Sequence, residues 1–209
     1  MTGDRRPLAS RGTRWAGAAA RWLATTGVTP NRISQASVVA AALAGLCLWL
    51  GPAQEGPART ALLLAAAVFI QLRLLCNLMD GMVAVEGARG APDGPFWNEV
   101  PDRIADILIL IGCGYGVGLP ELGWAAATFA VLTAYIREFG RAQGQPSDFC
   151  GPMAKPHRMA ALTLGAVIAA FEHQWGWNGL TLQATLWVVA IGALVTAFRR
   201  ALRLLGAMR

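Results

Sequence analysis

The chain has 209 residues, of which 55% are hydrophobic and 14% are charged, and its mean hydropathy is +0.44. This length suits a single domain, but the composition is too apolar for an ordinary water-soluble protein and predicts an integral membrane protein. The net charge of +6 does not indicate nucleic-acid binding, because the arginines flank apolar segments instead of forming a stripe on a polar surface.

The N-terminal segment mixes arginines and tryptophans with alanines over residues 5–28, which is typical of an amphipathic helix in the lipid head-group layer. It has no long apolar core followed by a cleavage pattern, so we do not predict a signal peptide. A disordered basic tail is the alternative. Pro30 favours a new helix start, and we therefore divide the chain into a juxtamembrane segment, 1–30, and a membrane domain, 31–209.

The membrane domain contains about six apolar windows near the length of roughly 20 residues that a membrane-crossing helix needs. We predict an all-α integral membrane protein with about six transmembrane helices and an N-terminal interfacial helix. The windows lie near residues 34–50, 60–78, 104–119, 123–136, 159–171 and 180–198. Small residues in the third window favour close helix packing, and they are Gly112, Gly114, Gly116 and Gly118.

An even number of spans places both termini on one side of the membrane. That side carries all but one of the 18 Lys and Arg residues, and the exception is Arg59. The positive-inside rule makes it the cytoplasmic side, here of a bacterial inner membrane, where the cations meet anionic lipid head groups. Its two polar loops, predicted at 78–103 and 137–158, are where we expect function.

Acidic residues interrupt the apolar pattern at the inner ends of the second and third windows. Asp102 and Asp106 are one helical turn apart on the same face, and Asn77 and Asp80 close the preceding span. A helical hairpin brings the four side chains together, where repulsion and desolvation are costly without a cation. Oxygen ligands without His or Cys indicate Mg²⁺ or Mn²⁺.

Two small residues beside these positions, Gly81 and Ala84, leave room for the backbone of a ligand. Because a hard divalent ion commonly bridges phosphate oxygens, the pattern predicts a site for a pyrophosphate-bearing substrate. The alternative reading, an exposed carboxylate or a helix cap, stays open for Glu86, Asp93 and Glu99.

The acidic pattern resembles the signature of the CDP-alcohol phosphotransferase family, D-x-x-D-G-x-x-A-R followed by G-x-x-x-D-x-x-x-D. The matching residues are Asp80, Gly81, Ala84, Asp102 and Asp106. The departures are Asn77 for the first Asp, Val85 for the Arg and Asn98 for the second Gly, together with a longer intervening segment. The chain is therefore identified as a divergent member.

The resemblance implies a phospholipid-synthesising transferase that joins a CDP-linked donor to an alcohol and releases CMP. It implies that Mg²⁺ or Mn²⁺ is held by Asn77, Asp80, Asp102 and Asp106, and that Asp106 is the catalytic base. The implied donor-binding residues are Asn31, Gly81, Ala84 and Arg89. The implied partners are CDP-diacylglycerol, a small polar alcohol, membrane lipids and, as a candidate assembly, a homodimer.

Four basic residues flank the inner ends of the fourth and fifth windows and predict binding of a phosphate on the acceptor. They are Arg137, Arg141, Lys155 and Arg158. The REF segment at 137–139 also resembles phosphatidylglycerophosphate synthases, so we predict a phosphorylated acceptor of the glycerol 3-phosphate or inositol-phosphate type. The alternative is that these cations only set topology and contact lipid phosphates.

Three other functions remain open. One is a transferase that uses a CDP-linked head group with diacylglycerol as acceptor, and another is a catalytically silent family member that binds nucleotide or lipid as a partner subunit. A third is a small cation transporter. The clustering of the carboxylates at one face weighs against the transporter.

Overall fold

The computed structural model describes residues 13–86, 92–177 and 179–208, and the regular structure in these ranges is entirely helical. The helices are α1 (Arg14–Thr25), α2 (Pro30–Leu50), α3 (Gly56–Glu86), α4 (Gly94–Gly116), α5 (Pro120–Ala142), α6 (Lys155–Ala169) and α7 (Leu180–Ala207). Short 3₁₀ turns lie at Gly51–Ala53 and Glu172–Trp175. The predicted all-α fold is confirmed.

Helices α2 to α7 form a closed ring. Each helix packs mainly against two others, in the ring order α2, α4, α5, α7, α6 and α3. The interior is filled by fully buried aliphatic side chains such as Leu48, Ile70, Ile109 and Leu186, interspersed with many alanines. Because alanine adds little bulk, the helix axes can approach closely without leaving voids.

Glycines set the position of α4 within this ring. An added Cβ at Gly112 would lie 2.2 Å from the carbonyl oxygen of Gly45 on α2, and Gly116 faces α2 just as closely. On the other side, Gly114 packs against the backbone of α5. The predicted packing role is confirmed for these residues, whereas Gly118 lies in the following turn with φ of +71°.

The N-terminal helix lies against the start of α2 and the end of α3, at the end of the helix ring that we call its inner end. Ala16 and Ala20 are fully buried there, in a cluster with Ile33 and Val83. The amphipathic helix predicted in this segment is thus confirmed over Arg14–Thr25, and residues 1–12 lie outside the described part of the chain. The division at residue 30 stays a prediction.

The start of α2 follows the sequence signal. Pro30 occupies the first turn, where its missing N–H costs nothing, and the Thr29 hydroxyl accepts a hydrogen bond from the Arg32 N–H at 3.3 Å.

The prediction that residues 78–103 form a loop is wrong over most of its length. Helix α3 continues to Glu86 and α4 begins at Gly94, so the acidic positions at both ends are helical. Similarly, α5 extends to Ala142, beyond the predicted window. Apolar windows mark the part of a helix that needs hydrocarbon, but polar residues continue the same hydrogen-bonded helix beyond it.

Three of the described helices are long and apolar enough to cross a membrane, namely α2, α3 and α7. Helix α6 has only 15 residues, and α4 carries Asp102, Arg103 and Asp106 within its length. The number of spans, predicted as about six, therefore stays a prediction.

Candidate functional site

The predicted acidic residues do converge, at the inner end of the helix ring. Asp80 on α3 and Asp102 and Asp106 on α4 are each at most 5% exposed. Buried carboxylates are unfavourable unless cations or hydrogen-bond donors compensate them. The structure supplies these partners from α2, α3 and α6.

Asp106 is held by two arginines. Its Oδ1 accepts a hydrogen bond from Arg73 Nη2 at 3.0 Å, and its Oδ2 accepts one from Arg158 Nη2 at 2.6 Å. All three side chains are almost completely buried. Arg73 and Arg158 therefore balance the charge of Asp106. Arg158 is one of the residues that we predicted for acceptor binding.

Asp102 forms a closed set of contacts with Asn77 and Lys155. The Asn77 amide donates to Asp102 Oδ1 at 2.9 Å, while Lys155 Nζ donates to Asn77 Oδ1 at 2.5 Å and to Asp102 Oδ2. Arg73 Nη2 also lies 3.4 Å from Asp102 Oδ1. Burial lowers the pKa of the Lys155 ammonium to about 8, and the charge of Asp102 opposes this change.

Asp80 differs from the other two because its side-chain hydrogen bonds come from neutral donors. The Ser34 hydroxyl of α2 donates to Asp80 Oδ2 at 2.7 Å, and the Gly81 N–H donates to Oδ1 at 2.5 Å. Sequence reasoning missed Ser34. The available signal was the pair Ser34 and Ser37, two hydroxyls three residues apart on the buried face of an otherwise apolar helix.

Several buried donors of this region are unpaired within the described residues. They are Arg73 Nε and Nη1, Arg158 Nε and the Ser37 hydroxyl. An unpaired buried N–H is costly, and an anion with several acceptor oxygens is the ligand that would satisfy it. These donors fit a phosphate-bearing ligand beside the carboxylates.

The four predicted acceptor-binding cations fall into two sets. Lys155 and Arg158, at the start of α6, contact the acidic residues directly. Arg137 and Arg141, at the inner end of α5, contact other carboxylates. Arg137 Nη2 lies 2.6 Å from Glu99 Oε2, and both arginines contact Glu138. All four cations are thus paired with carboxylates, and an anionic acceptor would compete for them.

The predicted donor-binding residues lie on the side of the site formed by α2 and α3. Asn31 donates to Asp93 Oδ2 at 3.0 Å, and Gly81 and Ala84 are half-buried on the last turns of α3. Arg89 lies outside the described residues. Val85, which stands where the family signature has Arg, is 61% exposed.

The donor chemistry of the cluster fits a hard divalent ion, since Asn77, Asp80, Asp102 and Asp106 offer only oxygen ligands. The negative charge of Asp102 and Asp106 is nevertheless balanced by side-chain cations. In residues 13–86, 92–177 and 179–208, no three His, Cys, Asp or Glu side chains are placed together as a ready metal cage. A divalent ion here must therefore share its carboxylates with these cations.

Comparison with known proteins supports the resemblance. No family model matches the chain. The inner membrane protein YnbA of Escherichia coli is 29% identical over 185 residues, which cover 86% of this chain and 85% of that protein. A phosphatidylinositol phosphate synthase of Mycolicibacterium smegmatis is 24% identical, over 83% of this chain and 76% of that protein.

Solved structures show the same fold. The phosphatidylinositol phosphate synthase PgsA1 of Mycobacterium tuberculosis with CDP-DAG bound has a TM-score of 0.74 at 21% identity, over 92% of this chain and 94% of that chain. The same enzyme in complex with manganese and citrate also gives 0.74, at 20% identity, over 90% of this chain and 88% of that chain.

The fold and the site define an all-α integral membrane protein with a buried, charge-balanced acidic cluster at one end of a helix ring. The likeness to the synthases extends over nearly the whole chain. In sequence and fold the chain is similar to these phosphatidylinositol phosphate synthases, which agrees with its resemblance to the CDP-alcohol phosphotransferase family.

Proposed function

We propose that the protein transfers a phosphatidyl group from CDP-diacylglycerol to the hydroxyl of a small phosphorylated polyol and releases CMP. The observation that carries this proposal is the convergence of Asp80, Asp102 and Asp106 beside buried arginine donors, in a chain related to phosphatidylinositol phosphate synthases. A lipid-linked pyrophosphate and a water-soluble alcohol can meet only where the helix ends reach the aqueous phase.

A divalent ion, Mg²⁺ or Mn²⁺, would be held by Asp80 and Asp102, with Asp106 as a further oxygen ligand. When bound, it would stabilise negative charge on the phosphoryl oxygens and on the departing CMP. Asp80 is the best placed of the three carboxylates, because its side-chain contacts come from a hydroxyl and a backbone N–H instead of a cation.

The chain's own residues then carry the transfer. The acceptor hydroxyl oxygen forms a bond to the phosphorus that bears diacylglycerol, the P–O bond to CMP breaks, and the hydroxyl proton passes to Asp106. Arg158 holds Oδ2 of Asp106 at 2.6 Å. An acceptor phosphate that draws Arg158 toward itself would free this oxygen as proton acceptor, so the base would become available when acceptor is bound.

The acceptor is a phosphorylated polyol, of the inositol-phosphate or glycerol 3-phosphate type. Arg137 and Arg141 would bind its phosphate from α5, because both are already arranged to hold anionic oxygens. The relatives named as phosphatidylinositol phosphate synthases favour an inositol phosphate, whereas the REF segment at 137–139 favours glycerol 3-phosphate.

The site would face the cytoplasm, in a bacterial inner membrane. The single basic residue predicted on the opposite side, Arg59, pairs with Glu172 at the other end of the helix ring, which agrees with the charge bias of the sequence. The test is maleimide labelling of a single cysteine introduced at Gln145 in right-side-out and inverted vesicles, after the four native cysteines are replaced. Labelling of inverted vesicles alone is expected, and labelling of right-side-out vesicles alone would contradict this orientation.

The enzymatic test uses purified protein in detergent with Mn²⁺, CDP-diacylglycerol and a panel of inositol phosphates, glycerol 3-phosphate and free polyols. We expect CMP release that depends on a phosphorylated acceptor and is lost in Asp106→Asn. Equal release by Asp106→Asn would show that Asp106 is not the base. CMP release with a CDP-linked head group as donor and diacylglycerol as acceptor would instead favour the transferase that uses these two substrates.

One observation favours the silent family member as a second candidate. Lys155 neutralises the charge of Asp102, and the neighbouring Asn77 is uncharged where the family signature has a carboxylate. A protein that binds CDP-diacylglycerol but releases no CMP with any acceptor would fit this candidate.

A further inference from the structure

Lys155 stands out by its residue type. The chain has 18 Lys and Arg residues, and Lys155 is its only lysine. Arginine serves at every other cationic position, including those that contact Asp106. An ammonium group is a compact point charge, whereas a guanidinium is a wide planar fork, so the two are not equivalent in a confined site.

The ammonium occupies a bridging position between two helices. Lys155 Nζ, from the start of α6, donates to Asn77 Oδ1 at 2.5 Å on α3 and to Asp102 Oδ2 on α4. Both acceptors are hard oxygens on the two helices that carry the acidic motif. A divalent ion bound at this position would likewise be a small cation shared by these oxygens.

Asn77 is matched to this arrangement. Its amide oxygen accepts from the lysine while its amide nitrogen donates to Asp102 Oδ1 at 2.9 Å, so the three residues satisfy one another. An aspartate at position 77 would keep the first contact, but it would replace the second by repulsion between two carboxylates. Such a pair would call for a cation of higher charge than an ammonium.

We propose that the Lys155 ammonium is a tethered cation that takes the place of a divalent ion between Asn77 and Asp102. The divalent ion of the reaction then binds on the Asp80 side of the cluster. The chain binds fewer divalent ions than the same site would bind with an aspartate at position 77 and no lysine. This inference rests on the proposed function, because the transfer reaction is what requires a divalent ion. Its test counts bound ions and does not require turnover.

The test counts Mn²⁺ ions bound per chain, by electron paramagnetic resonance of free Mn²⁺ during titration of the purified protein in detergent. The double variant Asn77→Asp/Lys155→Met restores the carboxylate and removes the ammonium. It should bind roughly one more Mn²⁺ per chain than the wild type, at a similar or lower concentration. Arg203→Met is the matched control, because it removes one positive charge from a side chain that is 60% exposed and pairs with Asp148, which is not part of the cluster. It should leave the count unchanged.

A second measurement uses the wild-type sequence, so it holds even where the double variant fails to fold. Labelling with ε-¹⁵N-lysine gives one ammonium resonance, because Lys155 is the only lysine. Saturating Mg²⁺ should leave this ammonium in its hydrogen-bonded position, with slow proton exchange. Loss of that protection on adding Mg²⁺ would show that the ion displaces the lysine and would overturn the proposal.

The outcomes separate the two proposals. A double variant that binds no more Mn²⁺ than the wild type, while the wild type releases CMP, would overturn the tethered cation and leave the proposed function intact. Extra Mn²⁺ in the double variant without CMP release from the wild type would support the tethered cation and contradict the transferase. If neither the wild type nor the double variant binds Mn²⁺, the tethered cation and the proposed function are both contradicted.

Discussion

Two buried ionic sites lie at opposite ends of the helix ring, and their construction differs. At the outer end, Glu172 is fully buried and accepts hydrogen bonds from Arg59 at 2.5 Å and from the backbone N–H groups of Gly179 and Thr181 at 2.7 and 3.1 Å. At the inner end, three carboxylates are shared among Arg73, Lys155, Arg158 and neutral donors drawn from several helices.

The difference shows how a structural ionic site can be told from a reactive one. Glu172 is a single carboxylate whose partners include the backbone that it organises at the start of α7, so no ligand can replace them. The inner carboxylates are held mainly by side chains, and the arginines among them keep unpaired donors. Unpaired buried atoms also occur at the outer site, on Arg59 Nε and the Thr181 hydroxyl, so the contrast lies in the backbone partners of Glu172. A phosphate-bearing ligand can rearrange side chains at the inner site, whereas backbone N–H groups at the start of α7 are fixed by the helix.

The largest effect is expected from Asp106→Asn at the inner site. Loss of a positioned proton acceptor should lower acceptor-dependent CMP release by about 10²- to 10⁴-fold. The rate is measured per folded protein, with folding checked by circular dichroism and thermal unfolding in detergent. A reduction smaller than about tenfold would remove Asp106 from the role of base and weaken the contrast between the two sites.

At the outer site, Glu172→Gln should leave the rate per folded protein unchanged but destabilise the fold. Removing the charge leaves the Arg59 guanidinium, whose side chain is 11% exposed, without its counter-ion. The free energy of unfolding should fall by about 3 kcal/mol. Denaturant titration in mixed micelles measures this change.

The double variant Arg59→Met/Glu172→Gln sharpens this prediction. Its glutamine oxygen can still accept one of the two backbone N–H groups, and the unpaired cation is gone, so part of the lost stability should return. If the double variant is less stable than Glu172→Gln alone, the buried ion pair is not the source of the effect.

A smaller effect is expected from Arg137→Gln at the rim of the inner site. Loss of one charge-assisted hydrogen bond to an acceptor phosphate, worth about 1.5 kcal/mol, should raise the KM for the acceptor about tenfold. The KM for CDP-diacylglycerol should not change. Steady-state kinetics with each substrate varied in turn makes the distinction, and Arg203→Gln is the control. Equal changes in both KM values would mean that Arg137 acts through the structure of α5.

The smallest effect is expected at Asp148, in the loop between α5 and α6. Partial burial disfavours its charged form, but hydrogen bonds from the Cys150 N–H and thiol and the charge of Arg203 outweigh this and lower its pKa. Because the native pKa lies below the unfolded value, the stabilisation is present above the unfolded pKa and is lost as pH falls through the native one.

At neutral pH, Asp148→Asn should cost only about 0.5 kcal/mol, since the Arg203 side chain is 60% exposed and the pair is screened by solvent. Unfolding curves of both proteins between neutral and acidic pH should converge on acidification. A difference that grows as pH falls would contradict the sign of the pKa change.

The sequence predicted the elements of the inner site better than their pairing. Helical spacing placed Asp102 and Asp106 on one face, and the cost of buried charge predicted a divalent ion near them, whereas the structure places the Arg73 guanidinium beside both carboxylates. The partner Ser34 lies 46 residues from Asp80, and Lys155 lies 53 residues from Asp102. Contacts at such separations depend on how the ring closes, which local patterns do not specify.

The outer site was not predicted from the sequence, for a similar reason. Arg59 was recognised only as the single basic residue on its side, because nothing near it in the sequence marks Glu172 as its partner across 113 residues. The helix ends were also misplaced where polar residues continue α3, α4 and α5 beyond their apolar windows. Hydropathy reports the environment of a segment, whereas hydrogen bonding defines the helix.

Mass spectrometry of the lipid product shows whether the inner cluster is a phosphatidyl-transfer site. Purified protein is incubated with CDP-diacylglycerol, Mn²⁺ and either an inositol phosphate or glycerol 3-phosphate. We expect a new phosphatidyl lipid that carries one of these phosphorylated head groups, formed in equal amount to CMP and abolished by EDTA. Donor binding without any phosphatidyl product from either acceptor would contradict the proposed function.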